Sequence, residues 1–474
     1  MWGENMFIQI NRNDKTSIIK QIYNQIRYKI LNGDLKSGER LPSSRKLADI
    51  INVSRNGIVE VYDILTIEGY TTSSEGSGTF VNKNVSILRS KIDEVKVNLE
   101  GMKEISKGIS FRSGLPALDK FPRNKWLQCY REAIMEMDDK ELGYDFPNGY
   151  EPLRKTLVEY LLSKRGIRCH PNQIIITNGA VQGLFLMSQF FKDNSASILI
   201  EEPTTKGIRD IFEASTSSVI STPIDSEGLN PDNFPHSKNI SCIVATPSHQ
   251  YPLGSSLSVA RRIKLINYAR EKNCYIIEDD YDSEYRYDKA PVGSLHELDS
   301  KRVIYLGSFS KILLPSIRIG YIILPTNLIE SVSKIKSLID IHCPTINQGA
   351  MEKFISRGYL SQHLSKSKKL YKKRRSTLIH TLEEKFGEKV KILGNQTGIH
   401  LVADFEGIEF SDDLMESIER EGVYISRVSD HAYYPKNHLS QLIFGYGNVD
   451  EENIKIGIAI LHHVLSSGNV KDNF

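Results

Sequence analysis

Between residues 174 and 306 the chain carries five short runs that are apolar at nearly every position. They are Ile174-Ile175-Ile176, Ser197-Ile198-Leu199-Ile200, Cys242-Ile243-Val244-Ala245, Tyr275-Ile276-Ile277 and Val303-Ile304-Tyr305-Leu306. A strand that is apolar on both sides leaves no face for water and has to be covered twice. Such strands alternate here with stretches of helical pattern, which implies an α/β unit with a mostly parallel sheet under helices, beginning near Ile109. A chain of 474 residues exceeds one ordinary domain. The remainder must therefore fold separately.

That remainder has its own pattern. Ile18, Ile19, Ile22, Tyr23, Ile26, Ile30 and Leu31 recur at helical spacing from Thr16 to Leu31, and Asn32-Gly33-Asp34 stops the run. Serines in Ser37 to Ser44 can cap a short helix bearing Leu47, Ala48, Ile50 and Ile51. Ser54 can cap a third helix with Ile58, Val61, Tyr62 and Leu65 on one face. Two β-prone stretches, Tyr70 to Ser73 and Thr79 to Val81, then flank a Gly/Ser-rich turn as a hairpin would. Three helices and a hairpin make a small α+β unit over residues 12–82, followed by a charged, weakly patterned linker over 83–108 and the large unit over 109–474.

Composition narrows the class without naming it. A hydrophobic share of 40% and a charged share of 25% are those of a chain that folds in water. There is no signal-peptide pattern at the N-terminus and no apolar stretch near the roughly 18 to 20 residues that span a bilayer. Cys129, Cys169, Cys242, Cys274 and Cys343 lie far apart without metal-ligand spacing, so they read as buried thiols, with no metal site. A cytoplasmic location is expected. Net charge is only +3, and residues 1–82 hold ten Lys/Arg against nine Asp/Glu, so bulk charge does not point to nucleic acid.

Pattern does. In a helix-turn-helix the second helix enters the major groove by its N-terminus. Ser54, Arg55 and Asn56 begin that helix here, and arginine and asparagine can each donate paired hydrogen bonds to guanine and adenine. Arg45, one helix earlier, and the wing glycines can approach phosphates. The string LPSSRKLADIINVSRNGIVEVYDILTIEGY followed by EGSGTFV resembles the winged helix-turn-helix of the GntR regulators over residues 16–82 without a gap. By that resemblance Arg45, Ser54, Arg55, Asn56 and Gly78 contact double-stranded operator DNA; Gly57 departs from the small hydroxyl residue common there.

The large unit offers a second constellation. Gly307-Ser308-Phe309-Ser310-Lys311 follows the run Val303 to Leu306, with Arg318 seven residues beyond the lysine. Glu278-Asp279-Asp280-Tyr281 ends another apolar run, and Thr177-Asn178-Gly179-Ala180 stands between a run and an apolar helix, where backbone N–H groups bind phosphate. An amine for a Schiff base, a carboxylate for a pyridine nitrogen, a phenol for a phenolate oxygen and a cradle for a phosphate dianion are what pyridoxal 5'-phosphate requires. Lys311, Asp279 and Tyr281 fill the first three roles, and Ser308 and Arg318 hold phosphate.

The strings FRSGLPALDKFP at 111, NGYEPLR at 148, TPSHQYPLG at 246, EDDYDSEYRY at 278 and GSFSKILLPSIRIGY at 307, taken in order, resemble the fold-type-I aminotransferase domain of MocR/GabR-type GntR regulators over about residues 109–465. The resemblance implies that Lys311 carries the cofactor, that Ala180 and Val181 join Ser308 and Arg318 at the phosphate, and that Tyr144 reaches a partner subunit's phosphate in a homodimer. It implies a regulator that senses pyridoxal phosphate itself or a small amine or amino acid. The alternative is a genuine aminotransferase with an accessory DNA-binding module. Three departures stand out. Thr205 replaces an aromatic that stacks on the ring in many relatives, Gly207 stands where a GABA-responsive member has an arginine, and the segment VYISRVSDHAYY leaves either Arg427 or Asp430 at the substrate-carboxylate position. An aspartate there would repel an amino-acid carboxylate. His249 either faces the effector cavity or is a structural loop histidine. The basic run Lys366 to Arg375 reads as a solvated helix face or as further DNA contact.

Overall fold

In the computed structural model Ser17 opens the first helix, α1 (Ile18–Leu31), by accepting a hydrogen bond from the Lys20 N–H. The helix therefore begins two residues after Thr16, where a side-chain acceptor meets one of the orphan N–H groups. Ser43 and Ser54 cap α2 (Ser44–Ile51) and α3 (Arg55–Ile67) in the same way, and Asn52 turns between them at φ 53°. Ile22, Ile26 and Ile30 of α1 pack on Leu47, Ile58, Val61 and Leu65 in one small core. The wing is an antiparallel hairpin of β1 (Thr71–Ser74) and β2 (Gly78–Val81), in register from Thr71 opposite Val81 to Ser74 opposite Gly78. The structure describes residues 8–74, 76–83, 85, 108–192, 196–215, 218–235, 238–287 and 293–467. The expected linker over 83–108 thus lies almost wholly outside the described residues.

The chain divides into two compact units, Met1–Glu104 and Ile105–Phe474. In the second, β3 (Ile109–Ser110) is followed by α4 (Arg123–Glu136), α5 (Glu151–Arg165), β4 (Ile174–Thr177), α6 (Ala180–Phe190), β5 (Ser197–Glu202), β6 (Val219–Asp225), β7 (Gly228–Leu229), β8 (Ile240–Ala245), β9 (Tyr275–Asp280), β10 (Val303–Ser308) and β11 (Gly320–Ile323). The eight strands β4 to β11 form one sheet in the order β4-β11-β10-β9-β8-β5-β6-β7. Pairs from β10 through β6 are parallel; β11 runs antiparallel to both β10 and β4, and β7 to β6. All five apolar runs are strands of this sheet, and its two faces are covered as their composition requires. Ile277 and Ile304 pack against Leu184 and Met187 of α6, while Ile276 and Val303 pack against Leu265 and Ala269 of the helix Val259–Glu271.

A second, four-stranded antiparallel sheet joins β12 (Val390–Leu393), β13 (His400–Phe405), β16 (Gln441–Gly445) and β15 (Ser426–Arg427). Between β13 and β15 in the chain, β14 (Val423–Tyr424) pairs in parallel with β3, which ties residues 109–110 to the C-terminal part. Four of the five cysteines are buried and Cys169 is half-buried, all as free thiols. No described helix is long and apolar enough to cross a membrane. The basic run 366–375 belongs to the helix Tyr359–Phe386, but Ser367, Tyr371 and Arg374 face inward, so only part of it is a solvated face.

Candidate functional site

Loops after the carboxyl ends of parallel strands form a crevice. Here β4, β5, β8, β9 and β10 deliver their ends to a cavity of about 420 Å³ lined by Gly114, Ala180, Val181, Asp279, Tyr281 and Lys311, among others. Side chains alternate across a strand, and β9 shows why one acid of three faces this cavity. Glu278 turns to the opposite side and accepts the Leu295 and His296 N–H groups at 3.0 Å. Asp280 turns the same way and pairs with the buried Arg165 at 2.8 Å. Asp279, between them, lines the cavity.

The Asp279 carboxylate is buried and its Oδ1 has no hydrogen-bond partner. Burial, reinforced by the charges of Asp280, Glu201 and Asp282, pushes its pKa up to about 7, with Lys311 opposing. The Lys311 amine is held below its usual range, chiefly by burial, with Asp282 and Asp279 opposing. A Cβ on Gly114 would lie 2.5 Å from Lys311 Nζ, so the glycine at φ +76° makes room for the amine. An unpartnered buried acceptor and a half-buried amine thus share one cavity.

The third part is an anion cradle. Gly179 precedes α6 at φ 89° with no side chain capping the helix, so the first N–H groups, at Ala180 and Val181, stay open. The Arg318 guanidinium lies over Gly179 and donates to the Asn178 carbonyl. Ser308 pairs with Gly320, and a Cβ on Gly320 would lie 2.9 Å from the Gly179 backbone. Ser308, whose Oγ accepts from the Ser310 N–H at 3.1 Å, therefore stands beside the same helix start. Beneath it Asp340 accepts from Asn178 at 3.0 Å and Gln182 at 2.7 Å and pairs with Lys336 at 2.6 Å. These two residues brace the loop and carried no recognisable signal in the sequence.

Other expected residues take different places. Tyr281 lines the cavity, burial raises its phenol well above the usual range, and its hydroxyl lies 3.2 Å from His249 Nδ1. His249 itself is fully buried behind Tyr281 and bound to Asp282 at 2.9 Å. It does not line the cavity, because its ring is sequestered by that carboxylate. Arg427 does not line it either: Asp412 at 2.7 Å, Asp430 at 2.8 Å and the Phe410 carbonyl at 3.1 Å take up its guanidinium. Asp430 sits in the same neighbouring recess, paired with Arg427, and does not itself line the cavity, though its charge acts on Tyr251 and His431, which do. Thr205 does line the cavity but spends its side chain on capping the helix Lys206–Glu213. Gly207 also lines it, and a Cβ there would meet nothing within 4 Å. Tyr144 is 87% exposed, away from the cavity, with its ring edge on His342.

In the N-terminal unit Arg45, Arg55 and Asn56 are exposed, and among the described residues neither guanidinium has an ion-pair partner. Ser54 uses its Oγ to cap α3, accepting from the Gly57 N–H at 3.2 Å. Gly78, at φ +105°, leaves room for Arg40, whose Nε would be 3.0 Å from a Cβ there. Arg40 also lies over the Phe80 ring, which places a further exposed cation at the wing. Its position in GERLPSS did not mark it.

Comparison with known proteins bears on both units. The family described as bacterial regulatory proteins, gntR family, matches residues 18–81, and aminotransferase class I and II matches residues 107–455. The chain is 29% identical to a probable rhizopine catabolism regulatory protein, MocR, of Rhizobium meliloti, over 95% of this chain and 94% of the relative. It is 31% identical to the pyridoxine biosynthesis transcriptional regulator PdxR of Corynebacterium glutamicum, over 97% and 99%. The crystal structure of a multiple substrate aminotransferase from Thermococcus profundus superposes with a TM-score of 0.71 and 29% identity, covering 78% of this chain and 94% of that one.

Proposed function

This chain belongs to the gntR family of bacterial regulatory proteins, in the MocR-type branch that joins the DNA-binding module to an aminotransferase class I and II domain, and from that premise we propose how its sites divide the work. It is a DNA-binding transcription regulator with pyridoxal 5'-phosphate as cofactor. The observation that carries the assignment of residues is the unpartnered Asp279 Oδ1 facing the cavity that Lys311 also enters. A buried carboxylate without a donor is costly, and a protonated pyridine nitrogen is the donor it lacks. When bound, the cofactor supplies an aldehyde carbon that bonds reversibly to amines and a near-visible chromophore. Lys311 is the amine that holds it, Asp279 the partner of the ring nitrogen, and Tyr281 the donor to the phenolate oxygen. Ala180, Val181, Ser308 and Arg318 bind the phosphate. Arg45, Arg55, Asn56 and Gly78 meet operator DNA, with Ser54 setting the start of the reading helix; the DNA-binding domain spans 12–82 and the effector domain 109–474.

The effector is a small amine or amino acid, or the cofactor itself, and the working form is a homodimer. Leu142, Tyr144 and Phe146 on one segment and Leu338, Ile339 and Ile341 on another are exposed apolar side chains, brought together by the contact of Tyr144 with His342. Such a patch needs a partner, and a two-fold pair presents two winged modules to paired half-sites. A ligand acts on such a dimer only through different affinities for its DNA-competent and DNA-incompetent forms. The effector should therefore bind with a different affinity when operator is present, and Lys311→Ala should remove the difference. A monomer by sedimentation, or an unchanged operator response in that variant, counts against the mechanism. The likeness to a multiple substrate aminotransferase keeps a second reading, an enzyme with an accessory DNA-binding module; steady amino-acid turnover above about 1 per second would favour it.

A further inference from the structure

The cavity that holds Lys311 and Asp279 opens beside an arginine that nothing in the site uses. Arg112 lines it, is exposed, and among the described residues its guanidinium has no hydrogen-bond or ion-pair partner. Its root is fixed. Phe111 is buried, its N–H donates to the Tyr424 carbonyl and its carbonyl accepts from the Gly445 N–H, both at 2.8 Å. A Cβ on Gly445 would lie 2.4 Å from the Arg112 carbonyl oxygen, so the strand behind it leaves no slack. On the other side Ser113 Oγ meets the Tyr251 hydroxyl at 2.9 Å. A planar fork on a pinned backbone, next to the lysine that meets incoming amines, is suited to a carboxylate.

We propose that Arg112 binds a carboxylate of the effector, and hence that the effector is an amino acid and not a simple amine. This rests on the reading of the cavity as the cofactor and effector site. Two competing cations are weaker. Arg427 already satisfies three acceptors in the neighbouring recess and does not line the cavity. Lys206 also lines the cavity, but it opens a helix, where the dipole disfavours a cation and where a single ammonium offers no paired geometry. Arg112 is near enough to lower the affinity of the Lys311 amine and the Tyr251 phenol for protons. Gly207 offers the cavity no side chain, so Arg112 is the guanidinium on its lining.

The test uses the full-length, cofactor-loaded protein and measures binding by calorimetry, with the near-visible band as a second readout. Probes are glycine, L-alanine, L-glutamate, L-phenylalanine, β-alanine and 4-aminobutanoate, each beside the amine left when one carboxylate is removed. At least one acid should bind about tenfold or more tightly than its amine, the preference a charge-assisted hydrogen-bond pair supplies. Arg112→Gln should erase that preference while keeping the band and leaving amine affinity within about twofold. Arg112→Lys should restore part of it, and Arg427→Gln should leave it intact. Amine binding without any carboxylate preference, a preference that survives Arg112→Gln, or one that follows Arg427 or Lys206, overturns the assignment of Arg112. Failure of every amine and acid to bind protein that carries the band overturns the amine-effector reading beneath it.

Discussion

Arg45, Arg55 and Asn56 stand exposed on two consecutive helices, whereas Ala180, Asp279 and Lys311 come from separate strand ends and a helix start and meet around a part-buried cavity, with Ser308 and Arg318 beside that helix start. The first group works at the surface, where water and salt screen each charge and single contacts contribute modestly. The second is centred on a buried carboxylate, where an unpaired acceptor such as Asp279 Oδ1 is expensive until its ligand arrives. The two sites should therefore respond to mutation on different scales. The buried one should fail outright and depend on pH; the exposed one should weaken by degrees and depend on salt.

The sharpest test is at Lys311. Lys311→Ala should abolish the near-visible band and all borohydride-stable attachment while circular dichroism remains native; labelling of another lysine in the parent protein would break the assignment. Next comes Asp279. Removing one partner of a buried charged pair costs about 3–5 kcal/mol, so Asp279→Ala should lower cofactor affinity by about a hundredfold or more, measured by equilibrium dialysis. Its pKa adds a sign. The folded value of about 7 lies above the ordinary unfolded carboxylate value near 3.9, so without cofactor its contribution to stability is full below the unfolded value and is lost as pH rises through about 7. Pairing with a ring cation removes that loss. The rise in melting temperature on adding cofactor should be larger at about pH 8 than at about pH 6, and Asp279→Asn should flatten the difference.

Smaller effects belong to the winged module. Arg55→Ala should cost about 1–3 kcal/mol on operator and little on random DNA, whereas Arg45→Ala should weaken both and reduce the salt slope by about one. Equal losses on the two DNAs for both variants would erase the distinction between reading and anchoring. Smallest is Ser54→Ala, which removes the α3 cap. It should cost about 1 kcal/mol in the stability of the N-terminal unit, read by thermal melting, and leave the cofactor band untouched.

Legibility followed the same division. Caps at Ser17, Ser43 and Ser54 and the hydrophobic stripes of α1 to α3 depend on residues within a turn or two of one another, so local pattern placed the three helices to within a few residues. The apolar runs placed the strands because complete burial leaves no other composition. Choosing Asp279 over Asp280 was already possible by resemblance, and the alternation along β9 supplies the reason. The alternatives at Arg427 and His249 stayed open in the sequence because nothing local shows that Asp412, Asp430 and Asp282 would engage them. Arg112 went unmarked for the converse reason, and Asp340 because the residues it braces, Asn178 and Gln182, are remote from it in the chain.

By itself the sequence determined the two-unit organisation, the fold class of each unit and the motifs that carry the chemistry, since periodicity, caps and strand-end strings are short-range properties of the chain. Only the tertiary structure decided which charges are spent on one another and which remain for a ligand. Arg427 lies three residues from one of its partners and fifteen from the other, while Arg112 is left without one beside a lysine nearly two hundred residues away. Pairing depends on distance through space in a medium of low dielectric, and the chain encodes that distance only once it has folded.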